Sequence, residues 1–166
     1  NGFYNQSVLS ISALKVLWST SVSTFQELES YSRYYFRNPT ERENPGAMSV
    51  NGLYESEIIR QRAGEDYPLY FKEDIHSFEA FCANPDMVIS HNIHFDSSFI
   101  PFLENHPGLF CTMENTRFIR GGKTSSLHHT AAYLKIPVLE DQLHTSLYET
   151  RLCFEIFKAL QYFREK

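Results

Sequence analysis

The sequence predicts an α/β domain with a mixed sheet, antiparallel at the front and parallel behind, flanked by helices. Three observations carry that expectation. The chain has 166 residues, the size of one ordinary domain. Hydrophobic residues make up 42% of it and aromatic residues 15%, enough for a core and too many for a disordered chain. Its periodicities run strand, strand, then helix–strand–helix–strand–helix–helix, an order that pairs the front strands as neighbours and joins the rear ones through helical connections. No internal repeat, low-complexity segment or domain boundary interrupts residues 1–166, so a single domain is expected.

The elements follow in order. SVLSISALKVLW (7–18) sets Val8, Ile11, Ala13 and Val16 among Ser10, Ser12 and Lys15, the partial alternation of a strand. STFQELESYSRYYF (23–36), with aromatics and β-branched residues near its ends, reads as a second strand pairing with the first. Two prolines, a glycine and mixed charges make 37–49 a loop. In 49–64, Glu55 and Ser56 precede Ile58 and Ile59, and Gly64 closes the run, which predicts a short helix with a glycine stop. Ile75, Phe78, Phe81 and Cys82 fall at helical spacing within 72–85, a helix opening near Asp74 and stopping before Pro85.

DMVISHN (86–92) is an apolar run between a turn signal and a polar pair, and reads as a buried central strand. Residues 95–108 read as a helix, with Pro101 in its first turns or at a kink. Leu109 to Met113 form another buried strand, and 125–136 a helix started by Ser125 or Ser126. The stripe Leu147, Leu152, Ile156, Ala159 and Leu160 predicts a long terminal helix over 143–166.

The formal charge of -5 argues against a protein held to nucleic acid by a broad basic face. It leaves room for an enzyme that grips a few phosphates through metal ions. Cys82, Cys111 and Cys153 have neither zinc-ligand nor redox-motif spacing, and their odd count suits a reducing compartment. No run has the length and apolarity of a transmembrane helix, and no signal-peptide pattern opens the sequence. A cytoplasmic protein without membrane attachment is expected. The chain opens NGFYNQSVLS, without Met and directly ahead of an apolar segment, and reads as a sequence whose beginning has been removed.

Two segments carry candidate chemistry. HNIHFDSSFI (91–100) puts Asp96 behind a strand and at the mouth of a helix. Aspartate favours helix starts, yet the carboxyl edge of an open α/β sheet is also where ligands bind. HTSLYET (144–150) puts His144 ahead of the terminal helix, with Thr145 or Ser146 as its cap and Glu149 in the first turn or so. That layout serves a general base beside a metal ligand; it equally serves a plain capping pair.

Other clusters weigh less. His91, His94 and Asp96 lack the cysteine partner of a zinc site. Gly121-Gly122-Lys123-Thr124 has the wrong context for a phosphate loop and reads as a mobile loop over the active-site cleft, where Arg120 and Lys123 meet phosphates or solvent. Tyr31, Tyr34, Tyr35 and Phe36 read as core and edge packing.

Together, the two segments resemble a family. HNIHFDSSFI is similar to the second motif of the DEDDh (DnaQ-like) 3'→5' exonucleases, and HTSLYET to their third. TSSLHHTAAYLKI resembles the family's helix ahead of that third motif, AMSVNGLYESEI (47–58) its turn upstream, and SVLSISALKV the strand after its first motif. The likeness runs through nearly the whole chain in order and spacing.

It implies an RNase H-like fold, here with its first strand truncated, and metal-dependent removal of nucleotides from 3' ends. Four carboxylates would hold two divalent ions, Mg²⁺ or Mn²⁺, which suit an all-oxygen site. Carried over residue by residue, His144 is the general base, and Asp96 and Glu149 are metal ligands. Asn92 and Phe95 line the terminal nucleotide, and Val50 and Asn51 form part of the base pocket. The implied partner is the 3' end of single-stranded DNA or RNA, DNA foremost. A DNA polymerase is the implied protein partner if the chain is a proofreader of the polymerase III epsilon-like kind.

Three departures qualify the match. The family's Asp-x-Glu motif is absent and would have to precede Asn1-Gly2 for the chain to be an enzyme. Glu149 stands where the family has aspartate, which moves the carboxylate by roughly 1 Å on a rigid helix. Asn51 replaces a histidine. The alternative is a catalytically decayed RNase H-like module that binds nucleic acid or a protein partner.

Overall fold

A computed structural model of the chain describes residues 7–142 and 145–164. They form two compact units, Asn1–Ala83 and Asn84–Lys166. An antiparallel strand pair occupies the first and a parallel pair the second, each flanked by helices, as the α/β reading of the sequence requires. No helix among the described residues is long and apolar enough to cross a membrane.

In the first unit, β1 (Ser10–Ser19) and β2 (Thr24–Tyr34) form a hairpin. Polar cross-strand pairs fix the register: Ser12 and Ser32 share a hydroxyl hydrogen bond of 2.9 Å, and Lys15 faces Glu29. A bulge between Lys15 and Val16 shifts the register before the stacked pair Trp18–Phe25.

The stretch expected as loop to residue 49 turns helical at α1 (Pro45–Asn51). The Asn44 side chain accepts from the Ala47 amide, and Pro45 sits where its missing N–H costs nothing. The helix expected over 49–64 is interrupted because Gly52 takes the left-handed conformation that ends α1 (φ 69°); α2 (Glu55–Arg62) restarts beyond it. Helix α3 (Phe71–Phe81) lies close to expectation, but Asp74 does not open it. Asp74 is buried and accepts from Arg33 Nη1 (2.8 Å) and the Tyr35 hydroxyl (2.7 Å), tying α3 to the end of β2. Ile58, Phe71, Phe78 and Tyr35 complete this core.

In the second unit, β3 (Val88–Ser90) runs parallel to β4 (Leu109–Cys111), in the register Val88↔Leu109, Ile89↔Phe110 and Ser90↔Cys111. Both strands are only part-buried over most of their length, less than the central strand expected from their apolarity. The helix expected over 95–108 divides. Helix α4 (Ile93–Ser97) ends early, Ile100 is drawn out of helical conformation ahead of Pro101, and a 3₁₀ turn (Pro101–Leu103) follows. Proline has no amide to continue the ladder and disfavours helix in the residue before it.

Beyond β4 come a 3₁₀ segment (Glu114–Ile119), α5 (Leu127–Tyr133), a 3₁₀ turn (Glu140–Gln142) and α6 (Ser146–Arg164). Ser126, one of the two expected starters, caps α5 by accepting from the His129 amide. Leu152, Ile156 and Leu160 of α6 close on Ala131 of α5, with Phe110 and Tyr148 packed around them. This stripe holds α6 beside β3 and α5 and so sets where its first turn lies.

Candidate active site

The site begins at the end of β3, where the chain must reverse into α4 within two residues. Asn92 makes the turn in the left-handed conformation (φ 81°), which asparagine tolerates better than most residues. It is the cap position of α4, and its carbonyl accepts from the Phe95 amide (3.0 Å) and the Asp96 amide (3.3 Å). Asp96 is therefore not the helix-start residue that its sequence position also allowed. Its side chain turns back towards the strand and accepts a hydrogen bond from the Ser90 hydroxyl.

Burial raises the Asp96 carboxyl from its ordinary 3.8 to about 6. The Ser90 hydrogen bond opposes this, and the charge of Glu149 adds to it. Asp96 and Glu149, 53 positions apart in the sequence by subtraction, thus share one electrostatic neighbourhood. Glu149 stands half-buried in the first turn of α6, its amide bonded to the Thr145 carbonyl at 3.0 Å. One turn further along α6, the buried Cys153 thiol lies 3.6 Å from the Thr112 hydroxyl. Burial pushes that thiol up to about 11, and the Asp96 charge contributes in the same direction. The first turns of α6 therefore lie beside the ends of β3 and β4.

His91 braces this arrangement from below. Its Nε2 lies 2.8 Å from the Ser125 carbonyl, which can only accept, so Nε2 carries the proton. Nδ1 lies 2.8 Å from the Thr112 hydroxyl and accepts from it. Burial lowers the His91 pKa, against the Ser125 bond, and keeps the ring neutral. With both ring nitrogens engaged, His91 is a strut between β3, the residue after β4 and the lead-in to α5, and not the zinc ligand weighed with His94 and Asp96. Among the described residues no group of three or more His, Cys, Asp or Glu is placed to hold a metal ion.

Of the residues singled out in the sequence, Asn92, Phe95 and Asp96 lie together at α4 and its cap, and the charge of Glu149, on α6 of the same unit, acts on Asp96. Phe95 is 43% exposed beside the carboxylate, edge-to-face against Phe99 at 5.2 Å. Val50 and Asn51 end α1 of the first unit; Val50 is exposed, and Asn51 Oδ1 accepts from the Leu53 amide at 2.9 Å. His144 lies outside the described residues. The loop expected over the cleft is a closed turn, with Gly121 and Gly122 at φ 60° and 97° and a bridge between Arg120 and Lys123. Ser90 and Thr112 have no part in the sequence reading, and Cys153 enters it only as one of three cysteines. The one available signal was a serine at the end of an otherwise apolar strand, three residues ahead of α4.

A pair of carboxylates with one pushed towards protonation is an environment that a hard cation relieves, and their donor set is all oxygen. Asp96 and Glu149 are two of the four such carboxylates that the DEDDh resemblance implies.

No family model and no curated protein matches the sequence. Among solved structures the chain is similar to Exonuclease X in complex with 5' overhanging duplex DNA, with a TM-score of 0.64 and 17% identity, covering 98% of this chain and 87% of that one. The likeness establishes the fold: a mixed α/β architecture consistent with the RNase H-like fold of that exonuclease.

Proposed function

We propose that this chain, over residues 1–166 as one exonuclease-like domain, is a metal-dependent 3'→5' exonuclease of the DEDDh class acting on single-stranded nucleic acid, DNA foremost. What supports the proposal is the buried Asp96, bonded to Ser90 at the end of β3 and influenced by the charge of Glu149 on α6, within a fold shared with an exonuclease.

In this reading Asp96 and Glu149 hold Mg²⁺ or Mn²⁺, as part of the set for two ions. The metal, when bound, neutralises the scissile phosphate's charge and lowers the pKa of the attacking water. The remaining work falls to the chain. Ser90 donates to one oxygen of Asp96 and so orients the carboxylate that would hold the cation. Phe95, exposed beside the carboxylate, packs against the terminal sugar or base, with Asn92 at its foot. His144, five positions ahead of Glu149 in the sequence, takes the proton of the attacking water on an imidazole nitrogen. A DNA polymerase is the partner if the activity serves proofreading.

The test is incubation with 5'-labelled single-stranded DNA and RNA, with Mg²⁺, Mn²⁺ or EDTA. A ladder of shortened products that keep the label, abolished by EDTA and by Asp96→Asn, is expected. His144→Ala should slow the ladder by about a hundredfold or more while metal binding persists. Failure to shorten either polymer with either metal would refute the proposal. Glu149 in place of the family's aspartate favours a second reading, a decayed module that still binds nucleic acid; retained binding without cleavage would select it.

A further inference from the structure

The second unit carries an exposed aromatic pair beside a basic turn, and nothing in the carboxylate site uses it. Phe118 and Tyr133 are 60% and 56% exposed, and their rings meet edge-to-face at 6.4 Å. Phe118 belongs to the 3₁₀ segment Glu114–Ile119 and Tyr133 ends α5. The turn that follows Phe118 is held by its own bonds: Arg117 Nη1 donates to the Gly122 carbonyl (2.7 Å) and Arg120 Nη1 to the Thr124 carbonyl (3.0 Å). Arg117 is already paired with Glu114 at 2.6 Å. Arg120 and Lys123 are exposed, and among the described residues neither has a carboxylate partner. A chain with a formal charge of -5 thus gathers two unneutralised cations and two large rings in water at one place.

The patch lies on a path from the carboxylates. The 3₁₀ segment follows β4: the Thr116 hydroxyl donates to the Thr112 carbonyl (2.7 Å), and the Thr112 hydroxyl lies 2.8 Å from Nδ1 of His91, two residues ahead of α4. From there the segment leads to Phe118. We propose that Phe118, Tyr133, Arg120 and Lys123 form a track for the single-stranded nucleic acid that enters the carboxylate site, its bases stacking on the rings and its phosphates on the cations. This rests on the nuclease reading above. Rings offer every base a stacking face and the cations follow the backbone, so the track is indifferent to sequence and sets a preference for length.

The test is fluorescence anisotropy of a 5'-labelled dT15 strand in EDTA, alongside metal-dependent cleavage of dT15 and of a dinucleotide. Phe118→Ala with Tyr133→Ala should weaken dT15 binding by about fivefold or more. Arg120→Ala with Lys123→Ala should reduce the slope of log affinity against log salt by about 1.4, two phosphate contacts' worth. Neither pair should alter dinucleotide cleavage, and unchanged melting curves would verify folding. If wild type degrades dT15 while both pairs bind it as wild type does, the track is overturned and the nuclease reading stands. Equal losses on dT15 and dinucleotide also overturn it, because the patch would then only support the fold. If wild type neither binds dT15 nor cleaves either substrate, the nuclease reading falls, and the track with it.

Discussion

Replacing Asp96 by Asn should make the protein more stable while abolishing the activity proposed for it. A carboxyl moved from 3.8 to about 6 is held in the native state in an environment that disfavours its charge. Between these two values the native protein binds a proton that the unfolded chain has released, so stability falls as pH rises through the window and stays low above it. At about 1.4 kcal/mol per pH unit, the deficit above pH 6 is about 3 kcal/mol. Asparagine is close in shape, leaves the Ser90 hydroxyl an oxygen to donate to, and carries no charge for Glu149 to repel. Its amide needs an acceptor of its own, so a gain of about 1–3 kcal/mol is expected near pH 7.5.

The assay is urea denaturation of both proteins at pH 4 and pH 7.5 in EDTA. The variant's advantage should be present at pH 7.5 and gone at pH 4. Mn²⁺ should then raise wild-type stability at pH 7.5 and leave Asp96→Asn little changed. Because burial is the larger cause and the Glu149 charge the smaller, Glu149→Gln should recover only a minority of the gain. An advantage equal at both pH values, or no advantage at either, would refute the claim that Asp96 is buried against its own charge.

Three further predictions concern the scaffold. His91 should contribute stability that is present above about pH 6.5 and lost as pH falls towards its lowered native pKa; His91→Gln should flatten that acid limb in a pH series of melts. Asp74→Ala should cost about 3 kcal/mol or more in urea denaturation, since it leaves Arg33 and the Tyr35 hydroxyl without their shared acceptor, and Asp74→Asn should cost less. Gly108→Ala should destabilise the β3–β4 pair, because a Cβ there would lie 2.1 Å from the Asp86 carbonyl oxygen; hydrogen exchange at the Val88 amide, which bonds to the Gly108 carbonyl, should quicken.

The legible parts of this fold were those written in local pattern. The β1–β2 hairpin, α3 and α6 follow from alternation or helical stripes that one stretch of sequence contains. The breaks were less legible. Pro101 is plain in the sequence, but whether a proline kinks a helix or ends it depends on what holds the residues beyond, and here Ile100 leaves the helix altogether. Gly52 sat inside a run whose later residues looked helical, and its left-handed φ splits that run in two. The burial of Asp74 was hidden for a different reason. Its partners, Arg33 and Tyr35, are roughly 40 positions away and carry no periodic signal of their own.

The carboxylate site divides along the same line. Asp96 and Glu149 stand out in the sequence because each reads as an acid near a helix opening, where it has a local reason to be; that same local reason makes each of them ambiguous. What removes the ambiguity is long-range. A capping aspartate accepts from its own helix's amides, whereas Asp96 accepts from Ser90 on the strand behind it and is raised by a charge on another helix. Neither fact is contained in HNIHFDSSFI. They follow from the Leu152–Ile156–Leu160 stripe, which fixes α6 beside β3 and so delivers Glu149 to Asp96. The apolar face of a helix and the charge at its first turn are thus one design: the burial of the first sets the electrostatics of the second, and shifting the stripe by one residue would rotate Glu149 by about 100° away from its partner.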